Sequence, residues 1–183
     1  MSLDRARIIA AASTALRDRG LAGLSMRTLA QDLGVQPGAL YHYVASKQEL
    51  LVAVGEQILA DSAAAISTAD PAQAALDIRA ALLPIRDGAE VLSFVHAYKP
   101  DAVGPFRDLH RTLAPPLDEP AARLVAEALI RYVLGWVAVE QNRAELVRAR
   151  ILDPEAARPA SADTAAFRFG VDALLGGLSS RTR

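Results

Sequence analysis

The chain has 183 residues, no cysteine, 20 basic and 21 acidic residues, and a hydrophobic content of 52%. That length and composition suffice for a sizeable core in one large or two small units, and the missing cysteines exclude a disulfide framework or a thiolate metal site. A net charge of −1 excludes a protein that coats nucleic acid by bulk charge alone.

Met1-Ser2-Leu3-Asp4-Arg5 leads straight into an amphipathic helix, without the charged start and apolar run of a signal peptide. No apolar stretch approaches a membrane span, so a soluble, cytoplasmic protein is expected. Ile9, Ala12 and Leu16 give the first helix one apolar face, and Arg17, Asp18 and Arg19 end it before the Gly20 stop. In the second helix Leu29 and Leu33 lie four apart, and Gly34 follows where a left-handed residue closes a helix without a Cβ penalty. Pro37 fits the first turn of a third helix, because its missing N–H has no intrahelical partner there. Leu40 and Val44 then pack on Leu29 and Leu33. Left outside are Gln36, Pro37, Gly38, Ala39, Tyr41, His42 and part of Tyr43, small residues beside rings and an amide where a solvated helix would carry Lys and Glu. Ser46 and Glu49 form a Ser-x-x-Glu capping box that starts a long helix through Leu50, Val54 and Ile58. Lys47 falls in its first turn, where a cation is slightly unfavourable unless an anion such as a DNA phosphate lies near. Helical pairs joined at glycine are common in all-α proteins, so this pattern by itself leaves both a DNA-binding and a purely structural motif open.

Ser67-Thr68-Ala69-Asp70-Pro71 breaks the helical pattern and divides a head, residues 1–62, from a body, residues 63–183. Helices are expected near 72–83, 87–97, 104–113, 120–149 and 163–178, separated by Pro84, Pro100, Pro105, Pro115, Pro116 and Pro154. The Ala- and Pro-rich stretch 154–164 reads as a loop, and no alternating strand run is present. Asp118-Glu119 before Pro120 reads as a helix cap. Gly135, inside the long helix, costs about 1 kcal/mol relative to Ala, and close packing is the expected compensation. In the last helix Ala166, Gly170, Ala173 and Gly177 form a small-residue stripe flanked by Phe167, Val171, Leu174 and Leu178, suited to packing either within the chain or against a second copy. The sequence holds no Gly-x-Ser-x-Gly, His-Glu-x-x-His, Gly-x-Gly-x-x-Gly or phosphate-binding loop. His42, His96 and His110 lack metal-ligand spacing. Residues 1–50 hold six bases and four acids, so a weakly basic head sits on an acidic body.

The blocks 24–33, Gly34-Val35, Gly38-Ala39-Leu40-Tyr41-His42-Tyr43-Val44 and Ser46-Lys47-Gln48-Glu49-Leu50-Leu51 resemble the DNA-binding domain of the tetracycline repressor (TetR) family. Ala81-Leu82-Leu83 with Arg86-Asp87-Gly88-Ala89, Leu134-Gly135 with Glu140-Gln141, and Phe167-Arg168-Phe169-Gly170 with Gly177-Leu178 resemble the regulatory domain of its tetracycline-repressor branch. The resemblance implies an all-α protein, with an N-terminal three-helix helix-turn-helix domain and a C-terminal helical domain for ligand binding and dimerisation. It implies a homodimeric regulator, a repressor on a palindromic operator in double-stranded DNA, released by a small-molecule inducer. On the matching positions, DNA would be met by Arg27, Thr28, Gln36, Pro37, Gly38, Ala39, Tyr41, His42, Tyr43 and Lys47. The dimer would form through Ala166, Phe167, Gly170, Leu174 and Gly177. Candidate inducer-lining residues are Ile78, Leu82, Leu92, His96, Tyr98, Phe106, Leu109, Leu113, Ile130, Leu134 and Trp136, a set that suits an apolar or aromatic ligand, with Trp136 as its optical reporter. The histidine and glutamate that hold the drug's magnesium in tetracycline repressors fall on Leu92 and Val139, with His96 and Glu140 nearby, so neither metal nor cofactor is expected. The rival is a helical enzyme or small-molecule carrier with a structural N-terminal motif; the absent catalytic constellation and the uncommitted face at Gly38, Ala39, Tyr41 and His42 oppose it.

Overall fold

The computed structural model describes residues 3–114, 117–154 and 160–179, the side chains of 160, 161, 178 and 179 excepted. Pro115, Pro116 and part of the 154–164 stretch therefore lie outside the described residues. The helices among them are α1 (Arg5–Arg19), α2 (Met26–Leu33), α3 (Pro37–Leu40), α4 (Lys47–Ala60), α5 (Pro71–Leu82), α6 (Gly88–Tyr98), α7 (Gly104–Leu113), α8 (Glu119–Arg148) and α9 (Ala160–Ser179). The described residues contain no strand.

Local chemistry sets these boundaries. Asp4 accepts from Arg7 N at 2.8 Å, Asp70 from Ala72 N at 2.9 Å and Asp118 from Ala121 N at 2.9 Å, each covering an N–H that the first helical turn leaves unpaired. Gly34 closes α2 in the left-handed region, and Val35 N reaches back to Ala30 O at 3.0 Å. Two details differ from the sequence reading. The buried stripe of α1 is Ile8, Ala12, Ala15 and Leu16, with Ile9 half-buried on its edge. The loop expected over 154–164 is already helix from Ala160.

The chain buries one continuous core. In its N-terminal part Ile8, Leu16, Leu29, Leu40, Val44 and Leu50 meet where α1, α2, α3 and α4 cross. The α4 helix then runs on into α5, α6 and α7, and α8 spans the body, packing on α5, α6, α7 and α9. At Gly55 a Cβ would stand 2.9 Å from Val95 Cγ2, so only glycine lets α6 approach α4 this closely.

No described residue lies within 4 Å of where a Cβ of Gly135 would be, so the described part of the chain does not supply the close packing expected there. Gly170 behaves in the opposite way. A Cβ there would overlap the Tyr132 hydroxyl, which donates to Phe167 O at 3.1 Å. Tyr132 also stacks on the fully buried Phe167, ring centroids 5.3 Å apart, and burial pushes its phenol pKa up. Phe167 and Gly170 thus take part in the α8–α9 contact within one chain. Gly170→Leu should overpack this contact and lower unfolding free energy by about 1–3 kcal/mol or more, read from urea denaturation.

Candidate nucleic-acid interface and ligand cavity

The first site is the outer face of α2 and α3. Ser25 and Thr28 make a reciprocal cap: Thr28 N donates to Ser25 Oγ at 3.1 Å and Ser25 N to Thr28 Oγ1 at 3.0 Å. The Thr28 hydroxyl, placed on the DNA surface by resemblance, is therefore engaged in fixing the start of α2, directly beside the exposed Arg27. Gln36, Pro37, Gly38, Tyr41, His42 and Tyr43 are exposed and Ala39 half-buried, while Leu40 and Val44 anchor the segment from beneath. Tyr41 is 51% exposed, and nothing lies within 4 Å of a Cβ built on Gly38, so a flat surface could come against the backbone there. At the start of α4, Ser46 accepts from Glu49 N at 3.1 Å, whereas the Glu49 carboxylate faces Lys99, Nζ to Oε2 3.8 Å, in place of the expected return bond. Lys47 sits half-buried in the same first turn.

The second site is a cavity of about 660 Å³ between the end of α6, the 3-10 turn Pro100–Ala102, α7 and the first half of α8. Phe106, Ala126, Ile130, Leu124 and Pro100 give it apolar surface. Its polar wall repeats one arrangement twice. Glu127 meets His96 Nε2 at 3.0 Å and Arg131 at 2.5 Å; Glu119 meets His110 Nε2 at 3.4 Å and Arg123 at 2.9 Å. Each carboxylate on α8 thus pairs with an arginine one turn later and has a histidine of a facing helix beside it, hydrogen-bonded in the case of His96. The His96 ring stands edge-on to Phe106, centroids 5.6 Å apart.

Of the residues expected to line a pocket, His96, Phe106 and Ile130 do. Ile78, Leu82, Leu92, Leu109, Leu113 and Leu134 are buried core, because apolar residues on the inner faces of packed helices meet each other first. Tyr98 is 52% exposed and stacks on Phe94. Trp136 lies apart, in a groove of about 450 Å³ with Tyr132, Gly135, Val139 and Arg143, so its emission does not report on the cavity directly. Arg107, His110, Arg111, Glu119, Arg123 and Glu127 escaped the sequence reading, since charged residues on α7 and α8 look like solvated faces. The usable signal was the pair of i,i+4 Glu–Arg steps on α8 opposite the two body histidines.

The residues near the magnesium positions do not fit a metal centre. Leu92 is in the core and Val139 at the surface. Glu140 is gripped by buried Arg79, Nε to Oε2 2.9 Å and Nη2 to Oε1 2.5 Å. The same guanidinium donates to Thr164 Oγ1 at 3.2 Å and lies 5.2 Å from the Phe167 ring centre, joining α5, α8 and α9.

The sequence pattern described as "Bacterial regulatory proteins, tetR family" matches residues 8–54. The class E tetracycline repressor protein of Escherichia coli is 30% identical over 199 residues, covering 99% of this chain and 92% of that protein. Among solved structures, BioQ of Mycobacterium smegmatis superposes with a TM-score of 0.78 at 33% identity, over 97% of this chain and 99% of that one. BioQ has also been solved with its double-stranded DNA operator. A single-residue variant of TetR from Acinetobacter baumannii, in complex with minocycline, gives a TM-score of 0.78 at 30% identity over 100% of this chain and 99% of that one.

Arg79→Leu would strand the Glu140 carboxylate in the interior. Its expected cost is about 3–5 kcal/mol in urea unfolding, whereas Arg79→Leu with Glu140→Leu, which removes both charges, should recover most of that loss.

Proposed function

Because this chain belongs to the tetracycline repressor family of bacterial regulatory proteins, we propose that it represses transcription by binding a palindromic operator as a homodimer and lets go when a small molecule fills the α6–α7–α8 cavity. It is a ligand-responsive, DNA-binding regulator and not an enzyme. In this reading residues 1–62 are the DNA-binding head and residues 63–183 the regulatory and dimerising body.

The observation that carries the reading is the uncommitted face of α2 and α3. Arg27, Gln36, Tyr41 and His42 point their polar groups outward from a capped and anchored helical pair, around a backbone left bare at Gly38. Arg27 takes the base-contacting role by resemblance, and its forked guanidinium suits guanine O6 and N7. Lys47 supplies phosphate contact at the first turn of α4. Thr28 contributes through the cap that orients Arg27.

For the homodimer, the exposed apolar side chains on the outer faces of α8 and α9 supply the surface. Val139 is 58% and Phe169 77% exposed, Leu174 is also exposed, and Gly135 opens the groove beside Trp136. Ala166 and Gly177 remain in the proposed interface; Phe167 and Gly170 do not. A two-fold axis would repeat this patch and present two equal recognition helices about one DNA turn, or a multiple of it, apart.

Fluorescence anisotropy over a randomised duplex library tests the proposal, and binding without sequence preference would refute it. Arg27→Ala should cost about 1–3 kcal/mol and relax preference at one position of each half-site. Lys47→Ala should weaken binding to every sequence and lower the salt slope by about 1. Phe169→Glu should shift sedimentation toward monomer and lower operator affinity with it; a variant that sediments like the parent protein would place the interface elsewhere.

A further inference from the structure

We infer that the cavity's ligand is a small apolar or aromatic molecule carrying one anionic group, seated against the α7 wall by Arg107 and Arg111. This rests on the ligand-cavity reading above and names the chemistry of its occupant.

Charge commitment in the wall supports it. The acids that α8 brings, Glu119 and Glu127, each already pair with an arginine one turn later, Arg123 and Arg131, and have a histidine ring beside them. They offer a ligand little free negative charge. On α7 the balance is reversed. Arg107 faces the cavity and forms no ion pair among the described residues. Arg111, one turn later on the same face, pairs only with Asp108 of its own helix, a contact as exposed as the Glu–Arg pairs of α8. His110 stands between them, its Nε2 buried, with Glu119 the carboxylate beside it at 3.4 Å. Arginine forks take carboxylates and phosphates bidentately. Asp101, on the 3-10 turn, is the lining carboxylate without a cation in contact among the described residues. It disfavours a second negative group at its end, which is why the ligand carries one. The body of the ligand lies on Phe106, Leu124, Ala126 and Ile130.

Equilibrium dialysis of the full-length protein against three compounds with one ring system tests this: 1-naphthoate, 1-naphthalenemethanol and 1-naphthylmethylammonium. Naphthoate should bind about tenfold or more tightly than the alcohol, with the ammonium weakest, as expected for one charge-assisted contact. Arg107→Gln should bring naphthoate to within about twofold of the alcohol. Leu124→Trp, which fills the cavity from its exposed rim, should weaken all three. If the alcohol or the ammonium binds as well as naphthoate, or Arg107→Gln leaves the preference intact, while Leu124→Trp still blocks binding, the anionic class is wrong and the cavity stands. If none of the three binds, or Leu124→Trp changes nothing, the cavity reading falls and the inference with it.

Discussion

The approach of α6 to α4 at Gly55 is the constraint on which the rest of the molecule depends. With no side chain at that position, Leu92 and Val95 settle on α4 and become fully buried, and the helix that leaves the N-terminal part becomes part of the body's core. A second fastening lies at the other end of α6. Asp87 holds a left-handed backbone, φ 55, a conformation that costs an L-residue about 1–2 kcal/mol, though Asp tolerates it better than most. In that conformation its carboxylate accepts from Leu21 N at 2.7 Å, and a hydrogen bond to a charged group contributes about 1.5–3 kcal/mol, enough to offset the strain. Arg86 beside it pairs with Glu145 at 2.7 Å, and Gln141 closes the α5–α6 turn by donating to Leu82 O and Ile85 O and accepting from Ala89 N. The seam is thus tied to α8 as well as to the turn that follows α1.

One helix consequently adjoins every part of the proposed mechanism. The first turn of α6 adjoins the seam at Asp87, its middle lies on Gly55, and its last turns carry His96 into the cavity wall and lead to Lys99, 3.8 Å from Glu49 on α4. In the proposed mechanism a ligand that changes how α6 sits against α8 changes what α4 meets at Gly55 and Glu49. It releases DNA only to the extent that it binds the two arrangements with different affinity.

Much of this was legible in the sequence because its signals are local. Asp70 before Pro71, Asp118 before Pro120, Ser46 before Lys47 and Gly34 before the turn to Pro37 announce helix ends through chemistry confined to a few residues. The outward face at Gly38, Tyr41 and His42 was legible for the same reason, once Leu40 and Val44 were assigned inward. The cavity was legible only in part. His96, Phe106 and Ile130 were assigned to it, but its charged walls were not, because Arg107, His110 and Glu127 come together only when α6 and α7 are laid against α8. Ile78, Leu82, Leu92, Leu109, Leu113 and Leu134, chosen beside His96, Phe106 and Ile130, fill the core. The small-residue stripe of α9 was legible in a different way: spacing predicts that something packs closely at Gly170 but not whether it comes from the same chain, and Tyr132 fills it. Buried Arg79, which holds Glu140, follows from no local pattern.

If Gly55 and Asp87 join the N-terminal helices to the body in one continuous core, the two must unfold together. The only tryptophan, Trp136, lies in the body, and Met26, one of two methionines, is buried in the N-terminal helices. Following Trp136 emission and the Met26 methyl resonance through one urea titration therefore watches both regions at once. Coincident midpoints and slopes are predicted. Loss of the Met26 signal at lower urea, with Trp136 still native, would show that the N-terminal helices hang from α4 as a separate unit and would contradict the account.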